Sequence, residues 1–153
     1  MSKSGAKSIE VFNANTDELF NSVFIIRTEV FVDESKVDQE DEYDGFDHLS
    51  QHYLATYEGS PAGASRWRIL PASQRVRLER IAVLKDYRRK GVGAALVAKM
   101  LEDIPKDAHV FGHAQAENQA FFKSLGFVAV GGEFEEAGIP HVEMQLQKKE
   151  SSK

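Results

Sequence analysis

The segment at residues 88–93 combines two features that bind phosphate groups, positive charge and a glycine-rich helix start. Three cations, Arg88-Arg89-Lys90, come directly before Gly91-Val92-Gly93, where a helical pattern begins. The first N–H groups of a helix lack intrahelical partners and carry partial positive charge, so they attract anions. Glycine at both positions removes side chains that would hold a phosphate away from the backbone. The pattern favours anion binding over a basic loop beside a glycine-softened helix.

Composition excludes several other classes of site. The Walker A loop ends in Gly-Lys-Ser/Thr, which is absent here, and the dinucleotide fingerprint needs a third glycine where this chain has Leu96. The chain has no cysteine, which excludes disulfides, cysteine-based zinc sites and a cysteinyl intermediate. His48 and His52 follow no recognised zinc spacing, so we expect no metal.

The charge and the N-terminus indicate where the protein acts. A net charge of −5 disfavours a nucleic-acid partner. No apolar run approaches the ~18 residues of a membrane span, and the first residues lack the apolar stretch of a secretory signal. We therefore expect a cytoplasmic protein with no nucleic-acid or membrane partner.

Hydrophobic periodicity predicts the elements that position the basic segment. Helices are predicted from residue 16 or 17 to about 31, at 91–102 and at 117–125, and residues 33–47 form an acidic loop or a short helix in a loop. Strands are predicted at 8–13, 51–57, 62–69, 75–83, 108–114, 127–130 and 141–147. A hairpin meander that leads into a β-α-β unit predicts an α/β fold, with a mixed, mostly antiparallel central sheet and helices on both faces. The 153 residues fit one domain at 8–147 between disordered tails at 1–7 and 148–153.

Two spaced motifs resemble the GNAT superfamily of acetyl-CoA-dependent N-acetyltransferases. Arg88-x-x-Gly91-x-Gly93 resembles its Arg/Gln-x-x-Gly-x-Gly/Ala signature, and FFKSLGF at 121–127 resembles its downstream Phe/Leu-Tyr-x-x-x-Gly-Phe element. The segments 134–141 and 27–34 resemble a subgroup of small members, and 79–83 with 143–146 resemble glucosamine-phosphate acetyltransferases. The resemblance spans residues 8–147 and implies a GNAT-like fold, an acyltransferase activity and acetyl-CoA as the cosubstrate.

The resemblance also implies how the cofactor is held. The backbone of 81–83 would pair with the pantetheine arm. Main-chain N–H groups from Arg89 to Ala94 would hold the pyrophosphate, helped by the side chains of Arg88 and Lys90. Gln115 sits where many members carry an Asn that contacts the arm. The implied cofactor-binding residues are Ile81, Ala82, Val83, Arg88, Arg89, Lys90, Gly91, Val92, Gly93, Ala94, Gln115 and Phe122.

Direct transfer needs a neutral amine and a polarised thioester carbonyl. An alkyl ammonium has a pKa near ~10.4, so a base must remove its proton. Glu79 is the candidate base, and an ion pair with Arg77 or Arg80 is the alternative role. The N–H of Val83 is the candidate that polarises the carbonyl. His141 is the third candidate catalytic residue. The alternative is that His141 is a partly buried, hydrogen-bonded histidine without a catalytic role.

Phe122 departs from the family pattern. Many members carry Tyr there as the acid that protonates the leaving thiolate, and Phe has no donor. The acid lies elsewhere, at Tyr87, His113 or His141, or the thiolate, with a pKa near ~8.5, leaves with electrostatic help alone. The third possibility is a noncatalytic CoA-binding module.

The acceptor amine is indicated only by charged side chains. Arg27, Glu29 and Arg66 are the candidate substrate-binding residues, and the two arginines would suit a phosphate or carboxylate. This favours a small amine such as the amino-sugar phosphate glucosamine 6-phosphate. If the acidic run at 33–47 attracts amines rather than forming a solvated loop, a protein-lysine or polyamine acetyltransferase is favoured. Family members are often dimers, so a homodimer is possible.

Overall fold

The computed structural model describes residues 8–37, 42 and 44–147. The tails predicted at 1–7 and 148–153, and the part of the acidic run at 38–41 and 43, lie outside the described residues. The strands are β1 Ile9–Asn13, β2 Gln51–Tyr57, β3 Ser60–Ile69, β4 Val76–Val83, β5 Val110–Gln115, β6 Phe127–Glu136 and β7 Ile139–Leu146. The α-helices are α1 Asp17–Arg27, α2 Val92–Asp103 and α3 Gln119–Ser124.

In the described residues, seven strands form a sheet with the hydrogen-bonded order β1-β2-β3-β4-β5-β7-β6. The pairs β1–β2, β2–β3, β5–β7 and β6–β7 are antiparallel, and β4–β5 is parallel. This confirms the predicted mixed, mostly antiparallel sheet. The chain divides into two compact units, of which the first draws on Met1–Arg68 and Glu79–Lys106 and the second on Ile69–Leu78 and Asp107–Lys153. Strand β4 therefore contributes to both units.

Helices α1 and α2 cover opposite faces of the first unit's sheet. Ala64 of β3 packs in a buried core with Val23 and Ile26 of α1. The neighbouring Gly63 faces Val92 of α2, whose Cγ1 would lie 2.8 Å from a Cβ added at that glycine. Because adjacent strand residues point to opposite faces, the two helices must flank the sheet, as the sequence predicted.

Helix α1 begins where the sequence predicted but changes its winding before its end. The hydroxyl of Thr16 accepts a hydrogen bond from the N–H of Leu19 at 3.2 Å and so caps the first turn. After Arg27 the chain continues as a π-helix over Thr28–Glu34. The N–H of Ser35 then donates to the carbonyl of Val30 at 3.0 Å. The predicted single α-helix to about residue 31 is therefore two segments, since side-chain periodicity alone does not report a change in hydrogen-bond spacing.

The closing strands are longer than the sequence predicted. In place of a loop at 131–140, β6 runs on to Glu136 and β7 begins at Ile139. Ala137 and Gly138 join them with φ values of +54° and +76°, the twist that suits a two-residue hairpin turn. The register shifts between Val130 and Phe134, so the two glycines between them are absorbed as a bulge. Cross-strand pairing overrides the local preference of glycine for loops.

The close contact between β3 and α2 predicts that one added methyl group lowers the stability of the fold. In Gly63→Ala the new Cβ would lie 2.8 Å from Val92 Cγ1 and 2.9 Å from the carbonyl oxygen of Ala82. Because the second neighbour is backbone, we expect a loss of about 1–3 kcal/mol in the free energy of unfolding, measured by urea denaturation. Gly132→Ala is the control, since its Cβ would meet nothing within 4 Å and should change stability by less than ~0.5 kcal/mol. Equal stabilities for the two variants would contradict the close packing.

Candidate functional site

The turn between β4 and α2 presents main-chain N–H groups at a helix N-terminus. Gly91 is the N-cap, with φ +91° and ψ 7°, a left-handed conformation that favours glycine. The helical ladder starts where the N–H of Ala95 donates to the carbonyl of Gly91 at 3.0 Å. The N–H groups of Val92, Gly93 and Ala94 precede that ladder, and Gly91 has no side chain to cap them. The residues before the helix are exposed, so this end of α2 fits an anion.

All three cations before this turn are exposed, and Arg89 and Lys90 directly precede Gly91. Arg89 has φ +64°, which bends the backbone just before Gly91. Lys90 carries its Nζ 5.6 Å from the centroid of the Tyr57 ring. Neither position buries its charge, so both cations add positive potential at the helix start.

The third cation, Arg88, is engaged in a two-pronged ion pair. Its Nη1 and Nη2 donate to the two carboxylate oxygens of Glu34 at 2.7 and 2.6 Å, and its Nε donates to the carbonyl of Val83 at 2.8 Å. The Arg88 hydrogen bond holds the pKa of Glu34 below its ordinary value. Arg88 therefore ties the end of the π-helix to the end of β4, and any phosphate would compete with Glu34 for it.

Strand β4 changes conformation directly before the residues expected to pair with pantetheine. Arg80 has φ +53°, which breaks the alternation of the strand so that Leu78 and Glu79 are both buried. In the following segment 81–83, the outer two residues are half-buried and Ala82 packs into the core. The alternation of buried residues in segment 81–83 therefore does not continue that of the first half of the strand.

Glu79 is 6% exposed and bonded to two arginines of β3. Its Oε1 accepts from Arg66 Nε at 3.0 Å and from Arg68 Nε at 2.8 Å, and its Oε2 accepts from Arg68 Nη2 at 3.3 Å. The ion pair that was the alternative role for Glu79 is present, with partners that the sequence did not indicate. Its role as a base stays a prediction.

The two candidate substrate-binding arginines are buried in a carboxylate network. Arg27 and Arg66 are 1% and 0% exposed, and each donates through Nη1 to Asp47 Oδ1 at 2.7 Å. Arg66 Nη2 also donates to Asp44 at 2.7 Å, and Arg27 Nε donates to the carboxylate of Glu42. Burial raises the pKa of Glu42. At Asp44 burial is the largest single influence and also raises the pKa, but the hydrogen bonds from Arg66 and from the Phe46 backbone, together with the charges of Arg66 and Arg80, outweigh it, and the pKa falls below the ordinary value.

This network revises the interpretation of the acidic run. Its described carboxylates at 42, 44 and 47 point inward to arginines and do not form a solvated loop. Asp47 joins Arg27 to Arg66, and Arg66 joins both to Glu79, so three of the predicted site residues lie in one cluster. Glu29, the third candidate for substrate binding, is exposed on the π-helix and lies outside that cluster.

The second unit holds the remaining predicted residues. Phe122 of α3 is 6% exposed, and its ring packs against that of Phe127 at 5.0 Å between centroids. Gln115 is exposed at the end of β5, opposite His141 in the ladder. His141 donates from Nδ1 to the carbonyl of Ile139 at 2.7 Å, because a carbonyl only accepts. This geometry matches the alternative role predicted for His141, that of a hydrogen-bonded histidine.

Sequence reasoning missed the partner of His113. Nδ1 of His113 lies 2.7 Å from Oε1 of Glu136, and Nη2 of Arg77 lies 3.3 Å from the other oxygen of that carboxylate. The His113 hydrogen bond, with Arg77, lowers the pKa of Glu136 to about 2. Only the register of the β6–β7 hairpin, which the predicted loop at 131–140 concealed, brings this carboxylate to β5.

Two kinds of feature are absent from the described part of the chain. No helix there is long and apolar enough to cross a membrane. No group of three or more histidine, aspartate or glutamate side chains is placed there to hold a metal ion.

The fold and the glycine-opened helix are those of an acyltransferase that uses an acyl-CoA, and the comparisons agree. The family model of the GNAT acetyltransferase domain matches residues 16–148. The uncharacterised N-acetyltransferase YjcF of Bacillus subtilis is 39% identical over 136 residues, which cover 86% of this chain and 94% of YjcF. The crystal structure of an acyl-CoA N-acyltransferase from Pseudomonas aeruginosa matches with 28% identity and a TM-score of 0.76, covering 91% of this chain and 98% of that one. The chain belongs to the GNAT acetyltransferase family and is an acyltransferase.

The carboxylate network predicts that Arg66 is required for stability. Arg66→Met keeps much of the apolar stem but leaves Glu79, Asp44 and Asp47 without a cation that they share. We expect a loss of about 3–5 kcal/mol in the free energy of unfolding, measured by urea denaturation. Lys99→Met is the control, because its ion pairs with Glu102 and Asp103 are on the surface and should contribute ~0–1 kcal/mol. A stable Arg66→Met protein would show that the network contributes little to folding.

Proposed function

We propose that this enzyme transfers the acetyl group of acetyl-CoA directly to a primary amine. The observation that carries the proposal is the N-terminus of α2, where three main-chain N–H groups precede the helical ladder behind a left-handed Gly91. The exposed Arg89 and Lys90 beside it favour a diphosphate. Family membership supplies the acyl-CoA class of cosubstrate. Direct transfer is favoured because the chain has no cysteine to carry the acetyl group.

When bound, acetyl-CoA supplies a thioester carbonyl whose carbon accepts the amine. The backbone of 81–83 would hold the pantetheine arm, and the N–H of Val83 would polarise the carbonyl oxygen. Glu79 is the proposed base for the acceptor ammonium. Gln115 and Phe122 are proposed contacts to the cofactor, and His141 remains a proposed catalytic residue.

We propose a cationic amine without a phosphate group as the acceptor. The expectation of glucosamine 6-phosphate depended on Arg27 and Arg66, whose guanidinium groups are buried and directed at carboxylates. They give a substrate phosphate no support, since an anion would have to displace Asp44 and Asp47. The net charge of −5 also favours a cationic acceptor.

A polyamine or a protein lysine would be an acceptor of this kind. It is favoured by Asp44 and Asp47, whose side chains remain 23% and 21% exposed beside the arginines that they pair with. A noncatalytic CoA-binding module is the third possibility, and thiol release from acetyl-CoA over a panel of amines tests it. The cytoplasmic location and the homodimer expected from the sequence stay predictions.

The position of the pyrophosphate predicts the effect of a side chain at Gly91. In Gly91→Val a β-branched residue would have to adopt φ +91° beside the N–H groups that hold the phosphates. We expect acetyl-CoA binding to be abolished in isothermal titration calorimetry. Gly59→Val is the matched control, because Gly59 has a similar φ of +86° but lies in the β2–β3 turn. Unchanged affinity in Gly91→Val would refute this placement of the cofactor.

The proposed base predicts a loss of turnover that depends on pH. Glu79→Gln should lower turnover at neutral pH by about 10²–10⁴-fold while acetyl-CoA affinity in calorimetry is retained. The loss should shrink as the pH approaches ~10, where the acceptor amine becomes neutral without a base. Since Glu79 also bonds Arg66 and Arg68, circular dichroism must show that the variant is folded. A loss that is the same at every pH would assign Glu79 a structural role only.

A further inference from the structure

The peptide unit between Val83 and Leu84 is fixed at both of its ends. The N–H of Leu84 donates to the carbonyl of Ala62 on β3 at 2.9 Å. The carbonyl of Val83 accepts from Nε of Arg88 at 2.8 Å. Because a peptide unit is planar, hydrogen bonds at its N–H and at its carbonyl together fix the backbone at the end of β4. The N–H of Val83, the proposed donor to the thioester carbonyl, belongs to the peptide unit directly before this one.

The guanidinium group of Arg88 is oriented by Glu34. Its Nη1 and Nη2 donate to the two carboxylate oxygens at 2.7 and 2.6 Å, in the paired arrangement that fits arginine to a carboxylate. With Nε bonded to Val83, all three nitrogens of the group donate. The Arg88 hydrogen bond holds the pKa of Glu34 below its ordinary value, so the carboxylate is ionised at neutral pH. Glu34 therefore fixes the plane of the guanidinium group, and with it the direction of the Nε–H.

Glu34 is the last residue of a π-helix that is anchored in the core of the first unit. Val30 is 7% exposed and belongs to the buried core cluster, and Phe31 packs against that cluster. Beyond the helix, the N–H of Ser35 donates to the carbonyl of Val30 at 3.0 Å and the N–H of Val37 donates to that of Phe31 at 2.8 Å. The backbone is thus held on both sides of Glu34, so its carboxylate is presented to Arg88 from a fixed position.

The two cations that follow Arg88 are better placed to meet a diphosphate. Within the described residues, neither Arg89 nor Lys90 is paired with a carboxylate, and both directly precede Gly91. A phosphate that bound Arg88 would have to replace two charge-assisted hydrogen bonds to Glu34. At Arg89 and Lys90 it would have to replace none of this kind. The pairing therefore assigns Arg88 to the end of β4 and the next two cations to the anion.

The exposure of the ion pair indicates orientation, and not stability, as its contribution. The side chains of Glu34 and Arg88 are 39% and 38% exposed, and exposed ion pairs contribute little to the free energy of unfolding. The π-helix is already held by its own core contacts. What the pair adds is a third contact, since it directs an N–H at one particular backbone carbonyl.

We propose that Glu34 is a positioning residue for acetyl transfer, which through Arg88 fixes the end of β4 and so the N–H of Val83 that polarises the thioester carbonyl. This rests on the proposed function, and all three residues belong to the first unit. As the amine adds, the carbonyl oxygen gains negative charge, and a donor stabilises that charge best when it is already aimed at the oxygen. The side chain of Arg88, which the family resemblance assigned to the pyrophosphate, acts on the backbone instead.

The first test removes either half of the pair and measures turnover and affinity separately. In Glu34→Gln and in Arg88→Gln, kcat for the best amine of a panel should fall by about 10–10²-fold, since a misplacement of ~1 Å can cost as much. The panel contains spermidine, lysine and glucosamine 6-phosphate. Acetyl-CoA affinity in calorimetry should be unchanged, because neither side chain holds the cofactor in this proposal.

Two comparisons accompany these variants. The double variant should be no slower than Arg88→Gln, because the two residues act through one contact and their effects are not additive. Glu102→Gln is the control, since it removes a surface ion pair with Lys99 on α2 and should leave both kcat and affinity unchanged. Additive losses from Glu34→Gln and Arg88→Gln would contradict a single line of action.

Exchange of the two charges separates positioning from a merely structural ion pair. When Glu34→Arg is combined with Arg88→Glu the ion pair can form again, but a carboxylate at position 88 cannot donate to the carbonyl of Val83. Hydrogen exchange of the amides of 28–34 should then match the wild type, while kcat stays as low as in Arg88→Gln. A charge exchange that restores kcat would overturn the proposal. If it does not restore the hydrogen exchange, the carbonyl signal decides.

That carbonyl signal reports the donor without turnover. Acetyl-CoA labelled with carbon-13 at the thioester carbonyl should show a downfield shift of its NMR signal on binding to the wild type, since a donor polarises the carbonyl. In Glu34→Gln and Arg88→Gln, at saturating cofactor, the bound signal should lie closer to that of free acetyl-CoA. Bound signals that are identical in the wild type and in both variants would overturn the positioning role.

The outcomes distinguish this proposal from the proposed function. A wild type that binds no acetyl-CoA, or that acetylates no amine of the panel, overturns the proposed function and the positioning role with it. In an active wild type, weaker acetyl-CoA binding by Arg88→Gln with tighter binding by Glu34→Gln would place Arg88 on a phosphate and overturn the positioning role alone. If circular dichroism shows that one of these variants is unfolded, the kcat and the carbonyl signal of the other decide.

Discussion

A buried guanidinium group must be paired with carboxylates, and this requirement organises the first unit. Arg66 is 0% exposed at the centre of β3, where an unpaired positive charge would cost several kcal/mol. It is satisfied by Glu79 from the next strand and by Asp44 and Asp47 from the acidic run. Arg27 at the end of α1 shares Asp47. These ion pairs therefore connect the helix, the loop and the sheet. The acidic residues are required to neutralise the buried arginines, whether or not they also contact a substrate.

The same requirement limits what the chemistry of the first unit can be. Arg27 and Arg66 are bonded to the protein's own carboxylates, so they no longer support the prediction of an amino-sugar phosphate as the acceptor. Glu79 is held in a fixed position by Arg66 and Arg68 of β3, which would suit its proposed role as a base.

The parts of this protein that the sequence predicted are those set by local chemistry. The predicted helix at 91–102 begins within one residue of α2, because Gly91 signals the left-handed cap and the apolar positions follow at helical spacing. The strand predicted at 51–57 matches β2, since its alternation is bounded by clear turn residues. The longer β6 was missed because the glycines at 131 and 132 prefer loops, and only pairing with β7 keeps them in the sheet. The pairing of Glu136 with His113 was hidden by the same error.

The cofactor site and the acceptor site differ in how they are encoded. A pyrophosphate would be held by main-chain N–H groups, which any sequence can supply if glycines lie at the start of one helix. A motif of six residues is therefore enough to predict the pyrophosphate site. The acceptor would be met by side chains such as the proposed base Glu79, which is oriented by Arg66 and Arg68 of the neighbouring strand. A contact of that kind depends on strand register and loop path, neither of which a motif contains. Family membership therefore follows from a short segment, whereas the acceptor has to be inferred from contacts that exist only in the folded chain.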